Sequence, residues 1–253
     1  MEVKTKEEEL ANTNETIHGE GQLQLSWGKL ILFFVAFIGF SGIIGAMIGV
    51  VFGMMDVASG SNLMDTVFAS HYMLLLDAIA LIFALLIFKS VRNLLKGSFS
   101  FKPFQQGKTY LYLLGGFIVL FVSQYLIMNV FQLEDGSDQV QTFGMDSLSM
   151  DWLNIIVFYL AFTVVTPIKE EIIYRGVIHG FLSEKIHFGV GLLVSSIIFG
   201  ALHTGHVLSA TIMGVVFVLL YRLTRSLIVP IVFHMLWNMY AITGLLFMIS
   251  TGS

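Results

Sequence analysis

Ionisable and strongly polar side chains inside long apolar stretches are costly to bury, so each is a candidate for chemistry. Three groups stand out in the C-terminal half of this 253-residue chain. The first, Glu170-Glu171-Ile172-Ile173-Tyr174-Arg175, places two adjacent carboxylates and an arginine where an apolar run ends. Glu171 and Arg175 are four residues apart and can pair along one helix face, which leaves Glu170, turned by one residue, to point elsewhere. Pro167, just upstream, can loosen the helix and free backbone groups beside the carboxylates. The second group is Phe199-Gly200-Ala201-Leu202-His203, and the third is His234-Met235-Leu236-Trp237-Asn238, with Pro230 one turn before it. A carboxylate, two imidazoles and a carboxamide from three helices suit activation of a water beside a carbonyl. Glu170 would be the general base; His203, His234 and Asn238 would orient the water, bind a metal or stabilise an oxyanion.

Plainer readings of the same residues stay open. The Glu170/Glu171/Arg175 group also reads as a charge cluster snorkelling at a helix end. His203 reads as a turn histidine satisfied by backbone, and His234/Asn238 as an interhelical hydrogen-bonding pair. His206, three residues from His203, is an alternative ligand. His18, His71, His179 and His187 fall in the tail or at helix ends and read as solvated. Asp77 lies in an apolar run with no companion at a telling spacing, and reads as a packing or polar-network residue. The metalloprotease pattern His-Glu-x-x-His and the membrane aspartyl pattern Gly-x-Gly-Asp are both missing. Gly39-Phe40-Ser41-Gly42 matches a serine-protease string, but it sits in a glycine-rich run where packing explains it. Without any cysteine there is no disulfide, thiol nucleophile, Cys-ligated metal or cysteine lipidation.

The elements that must hold these groups are membrane helices. With 56% apolar residues, a mean hydropathy of +0.84 and only 12% charged residues, too little polar surface exists to cover a water-soluble globule, which argues against a soluble enzyme. The net charge of −4 carries no concentrated basic patch, so nucleic acid is not an expected partner. Residues 1–29 read as a polar cytoplasmic tail whose acidic character is unlike a cleaved signal peptide. Uncharged or nearly uncharged runs at 30–55, 72–88, 111–131 and 152–168 each suffice for one span. In the first of them Gly45, Gly49 and Gly53 make a small-residue stripe for close packing. The run 186–221 would be about 54 Å long as one helix, so it should fold as a hairpin broken at His203-Thr204-Gly205-His206, stopping short of the far surface. A final span, 226–253, should kink near Pro230.

The reading is therefore an all-α polytopic transmembrane bundle of about seven spans: a tail (1–29), three N-terminal spans (30–149) and four spans that carry the chemistry (150–250). Counting residues leaves His203 and His234 about 10 Å apart in depth if their helices start at one interface. The helix carrying His203 should then begin below the surface or tilt strongly.

The three-part pattern Glu-Glu-x-x-x-Arg, Phe-x-x-x-His, His-x-x-x-Asn, in that order on successive apolar helices, resembles the CPBP family of intramembrane proteases. That family includes the CAAX prenyl endopeptidases of the Rce1 type and the Abi proteins of bacteriocin processing and self-immunity. The resemblance covers roughly 150–245. It implies an intramembrane endopeptidase in which Glu170 and His203 activate water while His234 and Asn238 complete the site, Glu171 belonging to the catalytic motif and Arg175 and Phe199 supporting it. It also implies a divalent metal such as zinc on Glu170, His203 and His234, although one carboxylate and two histidines are a sparse set and a metal-free glutamate mechanism fits the same residues. Its partners would be the lipid bilayer and a membrane protein or peptide precursor such as a bacteriocin or signalling peptide. The expected location is a bacterial plasma membrane. A non-catalytic immunity protein is the reading from another class.

Lys89, Arg92, Lys96, Lys102 and Lys108 crowd one inter-span segment, whereas 56–71 and 132–151 hold no Lys or Arg. The positive-inside rule puts 89–110, the N-terminus, Lys169/Lys185 and Arg222/Arg225 in the cytoplasm, with 132–151 and the C-terminus outside. Single cysteines in this Cys-free chain test the assignment: in intact cells an impermeant thiol reagent should label Asp138→Cys and not Lys96→Cys, and the opposite result inverts the topology.

Overall fold

The computed structural model describes residues 25–68, 70–135 and 151–251. Most of the tail 1–29, with His18, and the acidic residues Asp138 and Asp146 lie outside the described residues. Every regular element among the described residues is helical. Helix α1, Trp27–Ser59, starts on Ser26, whose hydroxyl accepts from the Lys29 N–H at 3.3 Å, and stops at Gly60, which supplies the left-handed φ of 69° that ends a helix. A short helix α2, Leu63–Val67, leads into α3, Ser70–Ile87. At Phe88 the chain turns by 100° into α4, Lys89–Leu95, so the basic residues leave the span direction abruptly. Arg92 closes the corner by donating to the Leu85 carbonyl at 2.6 Å and to that of Leu86, both otherwise unpaired at a helix end.

Helix α5, Gly107–Val130, is followed by α6, Trp152–Lys185, α7, Phe188–Ala201, α8, Val207–Thr224, and α9, Ile228–Thr251. Five of these are long and apolar enough to cross a membrane, six if the bent α3/α4 pair counts as one, and α7 is a shorter apolar helix. This agrees with the expected polytopic bundle of about seven spans. A long helix such as α1 turns Ile31, Leu32, Val35, Ile38, Met47 and Val50 outward, each at least half exposed in the isolated chain. Such a surface is stable only against hydrocarbon, and the chain is a multi-pass membrane protein.

Three expectations about these helices need correction. The fourth span does not end near residue 168: α6 runs on to Lys185, which puts Glu170 in mid-helix instead of at an interfacial end. It survives Pro167 by widening into a π-helical turn, Ala161–Val165, directly before it, and widens again at Glu171–His179. The longer i→i+5 spacing relieves the clash of the proline ring with the preceding turn. The final span is one helix without a kink near Pro230, because Pro230 falls in its first turn, where the missing N–H costs no hydrogen bond. His71 and His179, read as solvated, are 5% and 4% exposed. Their rings pack on Phe158 and Phe188, since helices that neighbour one another bury their ends as well as their middles.

The hairpin forms as expected, broken at Leu202–His206 with Gly205 at a φ of 84°. At 14 residues α7 is about 21 Å long, short of a full crossing. Small residues let α7 and α8 approach closely: a Cβ on Gly214 would lie 2.8 Å from the Cα of Ser196. In α1, Gly49 and Gly53 likewise receive the side chains of Phe68 and Met64. The core joins both halves of the chain, with Phe33 and Leu81 packed in one cluster with Val177, Phe199, Phe217 and Trp237. Gly214→Ala should force the hairpin apart and lower stability by about 1–3 kcal/mol, read as a lower unfolding temperature in detergent.

Candidate active site

Consecutive residues of a helix point about 100° apart, and α6 uses this to send three ionisable side chains in three directions. Glu171 is fully buried and pairs with Arg175 one turn on, Oε1 to Nη1 at 2.9 Å. Arg175, also fully buried, lies over the rings of Phe199 and Phe217 at 4.3 and 4.8 Å and donates to the Gly214 carbonyl at 3.5 Å. The same Glu171 oxygen accepts a hydrogen bond from His234 Nδ1 at 3.0 Å. Glu170 takes no part in this pairing.

The other ends of the two histidines face Glu170. His203 Nε2 lies 3.9 Å and His234 Nε2 3.8 Å from Glu170 Oε2. His203 Nδ1 donates to the carbonyl of Phe199, one turn back on α7, at 2.5 Å. With each Nδ1 donating, it is Nε2 of each ring that faces the carboxylate, an acceptor whenever the ring is neutral. Three acceptors therefore converge, and Glu170 Oε2 is a buried oxygen without a hydrogen-bond partner. Such a group needs a donor or a cation between its members.

Asn238, one turn beyond His234 on α9, donates from Nδ2 to the Phe162 carbonyl at 2.9 Å. One of its two Nδ2 hydrogens thus fixes the carboxamide and the second stays available. Glu170, His203, His234 and Asn238 all line one cavity of about 260 Å³, along with Tyr174 and Trp237. This volume is several times what one water needs. The structure thus brings together Glu170, His203, His234 and Asn238, and places Glu171, Arg175 and Phe199 behind them.

Whether these residues suit a metal depends on chemistry and spacing together. Converging acceptors suit a cation, yet two ligands of one tetrahedral zinc lie roughly 3.4 Å apart, so the side chains would have to close by about 0.5 Å. Among the described residues no three His, Asp or Glu side chains are grouped tightly enough to hold a metal ion.

Other residues take places of their own. His206 lines the same cavity with its ring 5.2 Å from that of His203. Asp77 does have companions: it accepts from the Ser41 hydroxyl and lies 3.6 Å from Lys169 Nζ. Lys169, counted among the cytoplasmic basic residues by sequence, is 9% exposed in mid-helix. Glu134 reaches the N-terminus of α8, accepting from the N–H groups of Leu208 and Ser209. The contacts of Asp77 with Lys169 and of Glu134 with α8 join residues distant in the chain, so spacing gave no signal.

A multi-pass helical membrane protein with a buried carboxylate and two histidines over a cavity defines the class. Residues 152–240 match the family model described as Type II CAAX prenyl endopeptidase Rce1-like. The matched residues contain all three motifs. The chain is 35% identical to YdiL of Bacillus subtilis (strain 168), by name a proposed membrane peptidase, over 142 residues, which is 54% of this chain and 56% of that protein. It is 30% identical to the membrane-embedded CAAX protease MroQ of Staphylococcus aureus (strain USA300) over 135 residues, 50% of this chain and 54% of that protein. The matches thus span about half the length of these curated relatives. No solved structure matches the chain.

Removing one member of a buried ion pair strands the other. Glu171→Gln, which leaves Arg175 unpaired among aromatic rings, should cost about 3–5 kcal/mol and show as lost folded yield and a lower unfolding temperature.

Proposed function

We propose that the chain is an intramembrane endopeptidase that cleaves a membrane-associated protein or peptide precursor, with Glu170 activating the water. The observation that carries this is the convergence of three acceptors, Glu170 Oε2 and the two Nε2 atoms, on one cavity. A water there can donate to Glu170 and to either histidine at once. As its oxygen bonds to the scissile carbonyl carbon, one water proton passes to Glu170 and the carbonyl π pair becomes the oxyanion. The second Nδ2 hydrogen of Asn238 can donate to that oxyanion. The proton on Glu170, relayed through an Nε2 of His203 or His234, goes to the leaving nitrogen as the C–N bond breaks, and the remaining water proton leaves with the new carboxylic acid. Glu171 holds His234 in the tautomer this relay needs, and Arg175 and Phe199 hold Glu171 and His203.

His234 lies six residues, about 9 Å, into α9 from the end shared with Arg222 and Arg225, which supports cleavage toward the cytoplasmic side under the positive-inside topology. A peptide helix protects its own backbone, so substrate must enter the cavity unwound. The names of the bacterial relatives agree with a peptidase working in a membrane; a bacterial plasma-membrane location and a short bacteriocin or signalling precursor are what the motif resemblance implies. A divalent cation held by Glu170, His203 and His234 is the second reading, favoured by their converging lone pairs; it would supply polarisation of the carbonyl and a more acidic water.

The membrane peptidome of cells carrying the intact chain, compared with Glu170→Ala, should reveal cleaved products. An internally quenched peptide built on such a product should be cut by the purified protein, and Glu170→Gln should lower that rate by at least ~10²-fold at normal folded yield. Unchanged peptidomes would favour the non-catalytic immunity reading. Loss of cleavage with a chelator and its return with zinc would favour the cation, while full activity in chelator would favour glutamate and water alone.

A further inference from the structure

We propose that Asp77, on α3, and Lys169, on α6, form a positioning pair that sets the rotation of α6 and so aims Glu170 into the cavity. The inference rests on the peptidase reading of Glu170, but it concerns a contact with the N-terminal helices, which contribute nothing to the matched family segment.

Glu170 closes a five-residue α-helical stretch, Thr166–Glu170, between two π-helical stretches, Ala161–Val165 and Glu171–His179. Each π-helical stretch shifts the angular register of the residues beyond it, so backbone hydrogen bonding alone does not fix where residue 170 points. The contacts of the residues on either side of it do. On one side Glu171 is held to α9 by His234 and, through Arg175 of its own helix, to the rings of Phe199 on α7 and Phe217 on α8. On the other, Lys169 Nζ lies 3.6 Å from Asp77 Oδ2, with the lysine side chain 10% and the aspartate side chain 32% exposed, and the other Asp77 oxygen accepts from Ser41 on α1. In hydrocarbon neither charge has water to turn to, so the pair resists rotation of α6 in a way that a surface pair would not. Glu170 Oε2 makes no hydrogen bond of its own, so its aim depends on the two neighbouring residues.

The pair touches neither the cavity nor the reacting atoms, and Lys169 and Asp77 are absent from the cavity lining. Their loss should therefore act on turnover and leave substrate binding alone. With the quenched peptide defined above, Asp77→Asn and Lys169→Met should each lower kcat by about 10 to 10²-fold per folded molecule with KM unchanged, the loss expected for displacing a catalytic group by about an ångström. Asp77→Glu should retain more activity than Asp77→Asn. The exchanged pair, Asp77→Lys with Lys169→Asp, should recover kcat above either single variant. A readout independent of turnover is the cysteine pair Glu170→Cys/His203→Cys: a short bifunctional thiol reagent should join it, and adding Asp77→Asn should lower the yield.

Full specific activity of Asp77→Asn and Lys169→Met, in an experiment where Glu170→Gln is inactive, would overturn the positioning role and leave the peptidase reading standing. If Glu170→Gln is itself active, the peptidase reading fails, and the crosslink still decides whether the pair sets the position of residue 170. Should Asp77→Asn not accumulate, Asp77→Glu and the exchanged pair carry the test. An exchanged pair that folds but is no more active than a single variant would overturn the proposal.

Discussion

The buried chain Arg175, Glu171, His234 is the constraint on which the rest of the structure depends. A guanidinium and a carboxylate with no exposure cannot be carried singly into a membrane helix bundle, so each must meet the other at 2.9 Å, and both must be enclosed by groups that tolerate a cation. Phe199 and Phe217 supply that enclosure with their ring faces, which brings α7 and α8 against α6. His234 commits its Nδ1 hydrogen to Glu171, which brings α9 in and turns Nε2 toward Glu170. The electrostatic demand of one arginine thus orders four helices around one cavity.

The unusual backbone of α6 arises from the same demand. A regular helix from Trp152 to Lys185 would have to carry Pro167 and three consecutive ionisable residues through an apolar interior. The two π-helical stretches accommodate the proline and turn Lys169, Glu170 and Glu171 toward α3, the cavity and α9. Pairing of the outer two leaves the middle carboxylate facing the two histidines, with Oε2 buried and without a hydrogen-bond partner.

Small residues give the hairpin its depth. Gly214 against Ser196 lets α7 and α8 touch through their backbones, and the 14 residues of α7 end within the bundle, so His203 reaches the level of His234 although counting from a common interface separates them by about 10 Å.

The sequence by itself determined the bundle of apolar helices, the break at His203 to His206 and the pairing of Glu171 with Arg175. These obey local rules: apolar run length, the left-handed freedom of Gly205 and the four-residue spacing along a helix face. It also singled out Glu170, His203, His234 and Asn238, because each is a polar residue in an apolar run. What it could not give was the depth and rotation of each helix. The length of α6, the straight start of α9 at Pro230, the burial of His71 and His179, and the meeting of Asp77 with Lys169 were all decided by contacts between helices far apart in the chain. A span of lipid-soluble residues satisfies its own backbone wherever it slides or turns. Only the side chains of its neighbours fix where it stops, and that is the information tertiary structure adds.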